Sequence, residues 1–421
     1  MKDTAYFKNK KVTIVGFARS GVNAANLLYD LGAKVSITDN KDNALTRANV
    51  IKLKSTDIKV ELGNHSREIV QGRDFVVLSP GVPSKALPVI QAREFKVPVI
   101  SEIELAYLLC PATIIAVTGS NGKTTTTTLI GKVLEAAGKK VFTCGNIGNP
   151  FSGEVEKAKD GDYICLEVSS FQLETIDKFR PKISVILNFS SNHLDWYNNM
   201  QEYLAAKSRI FMNQARCDYL VLNYDDPVLR DLAKKTKAKI IFFFSDKDLN
   251  PNQAAAQAVG SILGISKDLC LKVFREFKGV EHRQEYVAEI NNIKFINDSK
   301  ATTVESAIWA LKSIVQPIIW IAGGRDKGLD YNIILDLARK TVKEIILIGE
   351  AKDRIKKVFN GVLPVNEAAS LEDAVDLAFK RASNGDVVLL SPMCSSYDMF
   401  KDYEERGRCF KQAVKKLVNK K

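Results

Sequence analysis

The chain has 421 residues, 46% of them hydrophobic and 26% charged. That is too long for one ordinary core and predicts about three domains, which excludes a lone binding module and a disordered chain. The 61 Lys and Arg residues outweigh 49 Asp and Glu by +12, a balance that suits nucleic acid, anionic lipid or small anionic substrates. The only dense basic cluster is the terminal KKLVNKK, and no aromatic residues interleave with basic ones. A basic surface around pockets for small anions is therefore expected, with no nucleic-acid partner. Seven cysteines, an odd number without a CxxC pair, argue against a disulfide framework or a structural zinc site. The N-terminus has no signal-like apolar stretch and the longest apolar runs fall short of a membrane span. A cytoplasmic location without membrane insertion is expected.

Short β-branched runs alternate with amphipathic stretches of helical length, the signature of an α/β fold with parallel sheets and crossover helices. Strands are predicted at 12–15, 34–38, 75–78, 114–118, 163–167, 183–187, 219–222, 240–244, 318–322, 344–348 and 387–390, more than one sheet of usual size holds. The first strand leads into Gly16-Phe17-Ala18-Arg19-Ser20-Gly21, and the second ends in Asp39. This imitates a dinucleotide fingerprint, but Ala18 stands where a pyrophosphate needs glycine. A different nucleotide and a plain tight turn fit equally. A helix opened by Ser101, with Glu104 in capping-box spacing, marks one joint, and the segment from Phe277 to Val280 marks another. These divide the chain into domains 1–101, 102–279 and 280–421. Beyond the second joint a hairpin over 286–296 is predicted to turn at Asn291-Asn292.

The clearest chemical signal is strand 114–118, then Gly119-Ser120-Asn121-Gly122-Lys123-Thr124-Thr125, then an apolar helix. A loop in that position aims backbone N–H groups and a helix N-terminus at phosphate oxygens, while the lysine reaches the terminal phosphates and the next hydroxyl binds Mg²⁺. Its two glycines enclose two residues rather than four, so it is a variant of the usual P-loop. ATP is the expected cosubstrate. Glu167 ends another strand, where open α/β sheets bind ligands, and suits Mg²⁺ beside the nucleotide. His193 follows the strand 183–187 on the same rim. Lys207, in a plausible helix, reads as a surface lysine, since an ammonium cannot ligate a metal. In the third segment Asn297 to Thr302, Gly323 to Gly328 and Ser391 to Asp398 all follow strands. With Lys300, Lys327 and paired serines, they fit a site for a carboxylate-bearing substrate.

The motifs TGSNGKTT, CGNIGNP, LEVSSFQLE, ILNFSSNHLDWY, AAKSRIF, EHR, NDSKAT, GGRDKG and LLSPMCSSYDMFKDYEERG occur in that order over nearly the whole chain. In them the chain resembles the Mur ligases, and NDSKAT with SPMCSSYDMF points to the members that add D-glutamate. The resemblance implies an N-terminal Rossmann-like domain for a uridine nucleotide, a central P-loop ATPase-type domain with a mostly parallel sheet, and a Rossmann-like C-terminal domain for the amino acid. It implies small-molecule partners only, namely ATP, UDP-N-acetylmuramoyl-L-alanine and D-glutamate, and a monomer. The implied reaction makes an acyl phosphate that the glutamate amine then attacks.

By the same resemblance Lys123, Glu167, His193 and Lys207 are catalytic, and two Mg²⁺ ions are held by Thr124, Glu167, His193 and Lys207, the lysine as a carbamate. Gly119 to Thr125, Asn250, Arg283 and Asp298 are assigned to ATP. Arg19, Ser20, Asp39, Gly81, Asn146 and Ser169 are assigned to the uridine substrate, and Thr302, Lys327, Ser396 and Tyr403 to D-glutamate. Asn192 departs from the acidic residue the family usually has before the histidine. Leu249-Asn250-Pro251-Asn252-Gln253 departs from its His-Asn-x-x-Asn, and the preceding stretch is short, which predicts a more open adenine pocket. Other ligases of the superfamily, a nucleotide-binding regulator without turnover and a nucleic-acid ATPase are the competing readings.

Overall fold

The computed structural model describes residues 4–190, 197–326 and 328–419; His193 and Asn192 among the candidate positions, and Lys327, lie outside them. The fold is a three-domain α/β fold with one sheet per domain, and it divides into two compact bodies between Phe277 and Lys278. In the first body, β1 (Lys11–Val15), β2 (Lys34–Asp39), β3 (Lys59–Leu62), β4 (Phe75–Leu78) and β5 (Val99–Ser101) form a wholly parallel sheet in the order β3-β2-β1-β4-β5. A second parallel sheet holds β6 (Thr113–Thr118), β7 (Val141–Gly145), β8 (Tyr163–Glu167), β9 (Ile183–Ile186), β10 (Tyr219–Asn223) and β11 (Lys239–Phe243), ordered β11-β10-β9-β6-β8-β7.

The second body is built on β12 (Glu285–Ile290), β13 (Ile293–Asn297), β14 (Ile318–Gly323), β15 (Val342–Ile348), β16 (Val365–Glu367) and β17 (Val387–Leu390). Their order is β12-β13-β17-β14-β15-β16, and only the β12/β13 hairpin is antiparallel. Its turn residues Asn291 and Asn292 take positive φ angles of 52° and 57°, as a tight two-residue hairpin connection requires.

Alternation within strands explains why these runs fold as they do. Ile114 and Ala116 face one core of the central sheet while Ile115 and Val117 face the other. In β14, Ile318, Trp320 and Ala322 pack to one side and Ile319 and Ile321 to the opposite side. Strands apolar on both faces demand helices on both, which only a parallel, doubly covered sheet supplies. Every strand predicted from sequence is present; β3, β5, β7 and β16 are additional. They are short or carry polar residues, and all four lie at a sheet edge, where β-branched density is not needed.

The helix Glu102–Leu109 begins directly after β5, and Ser101 caps it by accepting from the Glu104 N–H at 3.2 Å. The capping box is only half formed. The Glu104 carboxylate turns instead to the central domain, where it accepts the N–H groups of Asp177, Lys178 and Phe179 at 3.0, 2.9 and 2.9 Å. Glu104 and Phe179 are buried, whereas Asp177 and Lys178 are exposed residues. Glu104→Ala should therefore lower the unfolding free energy by about 1–3 kcal/mol, the cost of orphaning the buried Phe179 N–H. Chemical denaturation with an unchanged slope and a lower midpoint is the expected result; an unchanged midpoint would contradict the assignment.

Candidate active site

β6 delivers the chain into Gly119, which holds φ +155°, and Gly122 caps the helix Lys123–Ala136 in the left-handed region at φ +79°. A side chain at Gly122 has no room, because its Cβ would stand 2.3 Å from Asn252 Oδ1. The first helical bond runs from Thr126 N–H to the Gly122 carbonyl at 2.9 Å, so the hydrogen-bond ladder starts behind the loop and the helix dipole points into it. Asn188, at the exit of β9, splints the loop: it accepts the Asn121 N–H at 2.9 Å, donates to the Asn121 carbonyl at 3.2 Å, and its own carbonyl accepts the Ser120 N–H at 3.1 Å. Ser120 also donates to the Ser190 carbonyl at 3.1 Å.

Two lysines converge here. Lys123 Nζ donates to the carbonyls of Gly119 and Ser120 at 2.9 and 3.1 Å. Lys207 Nζ donates to that same Gly119 carbonyl at 2.9 Å and lies 4.5 Å from the centre of the Tyr203 ring. The sequence reading of Lys207 as a surface residue is corrected by the fold, which leaves it 1% exposed. Burial pushes its ammonium well below the ordinary lysine range, and repulsion from Lys123 adds to the effect.

Glu167 stands in register with Val117 on the neighbouring strand, at the strand exit and 2% exposed. Its Oε1 accepts from Asn146 Nδ2 at 2.8 Å, while Oε2 is buried with no protein partner. An orphaned carboxylate oxygen at this depth is costly unless a cation meets it. With the Thr124 hydroxyl at the head of the adjoining helix, the donors are hard oxygens of the kind Mg²⁺ takes. The residues present fit that ion. Ser169 caps the short helix Ser170–Leu173 with Gln172 in a complete capping box.

The N-terminal glycine loop sits at the exits of β1, β2 and β4. A Cβ at Gly21 would fall 2.0 Å from the Gly16 carbonyl oxygen, so the second glycine is set by the turn itself. Asp39 spends both carboxylate oxygens on that region, accepting the N–H groups of Phe17 at 2.7 Å and Lys41 at 2.9 Å. Arg19 reaches into the central domain and donates to the Gly148 carbonyl at 2.9 Å. The fold thus brings Arg19 beside the Asn146-containing loop, while Gly81 is exposed with open space around it. Asn250 caps the helix Pro251–Ile262, accepting the N–H groups of Asn252 and Gln253 at 3.1 Å. The chain passes from β11 to that helix without a further strand. It is Asn252, not Asn250, whose amide packs on the phosphate loop and accepts from Thr126 at 3.2 Å.

In the second body, three loops are stitched together. Gly323 and Arg325 N–H groups donate to the carbonyls of Pro392 and Ser395 at 2.9 Å, and Met393 donates to that of Ala301 at 3.0 Å. Met393 takes φ +60°, a strained value for methionine. Arg406, 1% exposed, ties the first and third loops by donating to Ser299 Oγ, the Ser299 carbonyl and the Cys394 carbonyl at 3.0, 2.8 and 3.1 Å. Ser396 is buried in the same assembly. The Tyr403 carbonyl accepts from Ser299 Oγ at 2.8 Å, and Thr302 follows two residues after Lys300. Asp298 accepts from Ser391 Oγ at 3.0 Å and from Gln284 N–H at 3.2 Å, and burial, opposed by these bonds and by Arg283, pushes its carboxyl up to about 7. Arg283 keeps a buried Nε without a protein partner. Asn188, Asn252 and Arg406 were given no role by the sequence reading.

Three family descriptions match consecutive parts of the chain: "Mur ligase MurD-like, N-terminal domain" at 10–101, "Mur ligase middle domain" at 117–273 and "Mur ligase, glutamate ligase domain" at 282–394. A UDP-N-acetylmuramoylalanine--D-glutamate ligase from Thermoanaerobacter pseudethanolicus is 41% identical over 450 residues, covering 97% of this chain and 99% of the relative. One from Geotalea uraniireducens is 42% identical over 443 residues, covering 97% and 98%. Among solved structures, the UDP-N-acetylmuramate-alanine ligase MurC of Thermotoga maritima superposes with a TM-score of 0.61 at 18% identity over 98% of this chain and 100% of that one. MurF ligase of the same organism, in complex with ADP, gives 0.58 at 15% identity over 99% and 98%. Those two likenesses establish the fold.

The raised Asp298 carboxyl has a readable consequence. The folded chain holds a proton on it between about pH 4 and pH 7 that the unfolded chain has released, so its contribution to stability is present at low pH and is lost as pH rises through about 7. Stability of the unsubstituted protein minus that of Asp298→Asn should fall by an amount on the order of a few kcal/mol across that window. Parallel denaturation profiles from pH 4 to pH 7 would contradict it.

Proposed function

The chain belongs to the Mur ligase family, and from that premise we propose that it joins D-glutamate to UDP-N-acetylmuramoyl-L-alanine in peptidoglycan synthesis, with ATP cleaved to ADP and phosphate. The observation that carries this reading is 41% and 42% identity to D-glutamate ligases over 97% of the chain. Domain limits at 1–101, 102–279 and 280–421 assign one sheet each to the uridine nucleotide, ATP and the amino acid. The protein acts as a cytoplasmic monomer on small molecules; among the described residues no helix is long and apolar enough to cross a membrane.

In the first step a carboxylate oxygen of the muramoyl-alanine attacks the γ-phosphorus, the bond to the β,γ-bridging oxygen breaks, and ADP leaves an acyl phosphate. In the second the glutamate amine adds to the acyl carbon, loses a proton and expels phosphate as the amide forms. Two anions must meet in the first step, so the protein's contribution is charge neutralisation and alignment. The loop from Gly119 to Thr125 supplies backbone N–H groups, and Lys123 exchanges its two loop carbonyls for the terminal phosphates. Thr124 and Glu167 would hold Mg²⁺, which when bound would supply positive charge to the phosphate oxygens. Asn146 orients the Glu167 carboxylate through its 2.8 Å bond.

Lys207 belongs to the same reading as a carbamate that helps to hold a second ion with His193. Its burial and the repulsion from Lys123 favour the neutral amine. A neutral amine attacks the carbon of CO₂, forms the N–C bond as a C–O π bond opens, and releases a proton, which places a negative carbamate beside Lys123 where a neutral amine stood. In the second body, Thr302, Lys327, Ser396 and Tyr403 bind D-glutamate, with the lysine pairing a carboxylate. Arg283, Asp298 and Asn250 bind the adenosine of ATP. Arg19, Ser20, Asp39, Gly81 and Ser169 line the path of the uridine substrate, although the Asp39 carboxylate already serves the glycine-loop backbone.

The test is phosphate release measured with each substrate withheld in turn and with D- or L-glutamate. Release should require both UDP-N-acetylmuramoyl-L-alanine and D-glutamate, and L-glutamate should give no more than background. Equal rates with the two enantiomers would remove the stereochemical assignment, and release without the muramoyl substrate would remove the ligase reading. A separate experiment addresses Lys207: labelled CO₂ added to the protein should mark one lysine, and Lys207→Arg should abolish the label together with most of the turnover. Full activity in CO₂-depleted buffer would exclude the carbamate.

A further inference from the structure

We infer that the N-terminal edge of the first sheet carries an anion site separate from the catalytic rim, and that its ligand is a small soluble oligophosphate. Lys11, Lys34 and Lys59 open β1, β2 and β3. Lys11 is in register with Lys34, and Lys59 with Ser36. Since Lys34 and Ser36 are two residues apart, all three lysines point to the same face of the sheet. All three are exposed, and none makes an ion pair among the described residues.

Of the three nearby carboxylates, Asp30 and Asp74 are paired by other lysines, while Asp57 lines the recess with no ion pair among the described residues. Asp30 is paired by Lys54. Asp74 accepts from Lys10 Nζ at 3.1 Å and from the backbone N–H of Lys11 at 2.8 Å. Asp57 accepts from the Ser55 hydroxyl at 3.2 Å. Three like charges on neighbouring strands, directly opposite or one pair removed, repel one another. A sheet that needed only solubility would alternate their sign.

The lysines line a recess of about 960 Å³, to which Tyr29, Arg73 and the turns at Gly32 and Gly72 contribute walls; with Asp30 paired by Lys54, the four basic groups there face one unpaired carboxylate, Asp57. A volume of that order holds a small molecule. A concave recess suits a soluble anion better than a flat lipid surface. Adjacent strands are about 4.8 Å apart, so three ammonium groups spread over roughly 10 Å match two or three linked phosphates better than one. The Gly16 loop, Asp39 and Ser79 stand at the opposite, C-terminal ends of these strands, so the recess is not the uridine site of the proposed reaction. The inference does not depend on which amino acid the enzyme adds.

The test uses the full chain with the catalytic rim blocked by saturating UDP and a non-hydrolysable ATP analogue, and inorganic tripolyphosphate as the probe in calorimetric titration. One equivalent should still bind, at least tenfold more tightly than orthophosphate, and the affinity should fall as salt rises. The double variant Lys34→Ser with Lys59→Ser should bind at least tenfold more weakly, keep its ligase rate measured without probe, and unfold at an equal or higher temperature because the repulsion is gone. Absence of the residual equivalent, undiminished binding in the variant, or a lowered unfolding temperature would each overturn the inference. Sedimentation with phosphatidylglycerol vesicles separates the sources of phosphate: the protein should remain in solution, and lysine-dependent sedimentation without tripolyphosphate binding would also overturn it.

Discussion

The carbonyl oxygen of Gly119 is the point on which the candidate active site turns. It accepts hydrogen bonds from two amines at once, Lys123 from the head of its own helix and Lys207 from a helix 88 residues further along. A carbonyl has two lone pairs, and here both face cations or groups that would be cations in water. The arrangement holds the phosphate loop in shape before any nucleotide arrives, so less ordering is required when phosphates enter. It also sets a conflict between the two amines, which burial resolves at Lys207 by disfavouring its charge.

The rest of the central site answers to the same constraint. Asn188 fixes the loop from the strand on one side, and Asn252 closes on Gly122 so tightly that only glycine fits there. Glu167 arrives on the strand at the other side with one oxygen bonded to Asn146 and the other left for a cation. Parallel strand exits converge on one rim, which is why a doubly covered parallel sheet can gather residues distant in sequence around the loop from Gly119 to Thr125. In the second body Arg406 plays a comparable part for the loops at Ser299 and Cys394, holding them together through three hydrogen bonds.

What was legible in the sequence was what is local. The phosphate loop, its flanking strand and helix, and the Asn291-Asn292 hairpin each declare themselves within about ten residues, because turn chemistry and alternation act at short range. The alternating burial of Ile114 to Val117 follows directly from the apolar run. Lys207 could not be placed this way: Tyr203 stands one helical turn before it, but nothing in AAKSRIF shows that the Gly119 carbonyl, 88 residues away in the chain, would meet its amine. Asn252 lies 126 residues from Thr126, and Arg406 lies 107 from Ser299. The missed strands β3 and β7 are edge or polar strands whose partners, rather than their composition, make them strands. Family resemblance supplied roles for residues such as Tyr403 and Thr302 that no spacing rule reaches.

The central claim is that the loop ending in Lys123 carries phosphorus from ATP to a carboxyl oxygen before any amide exists. Positional isotope exchange tests it directly, with ATP labelled at the β,γ-bridging oxygen and UDP-N-acetylmuramoyl-L-alanine present but glutamate withheld. The account predicts scrambling of the bridging label in the unsubstituted enzyme and its loss in Lys123→Ala. Amide formation that continues in Lys123→Ala at an undiminished rate would contradict it.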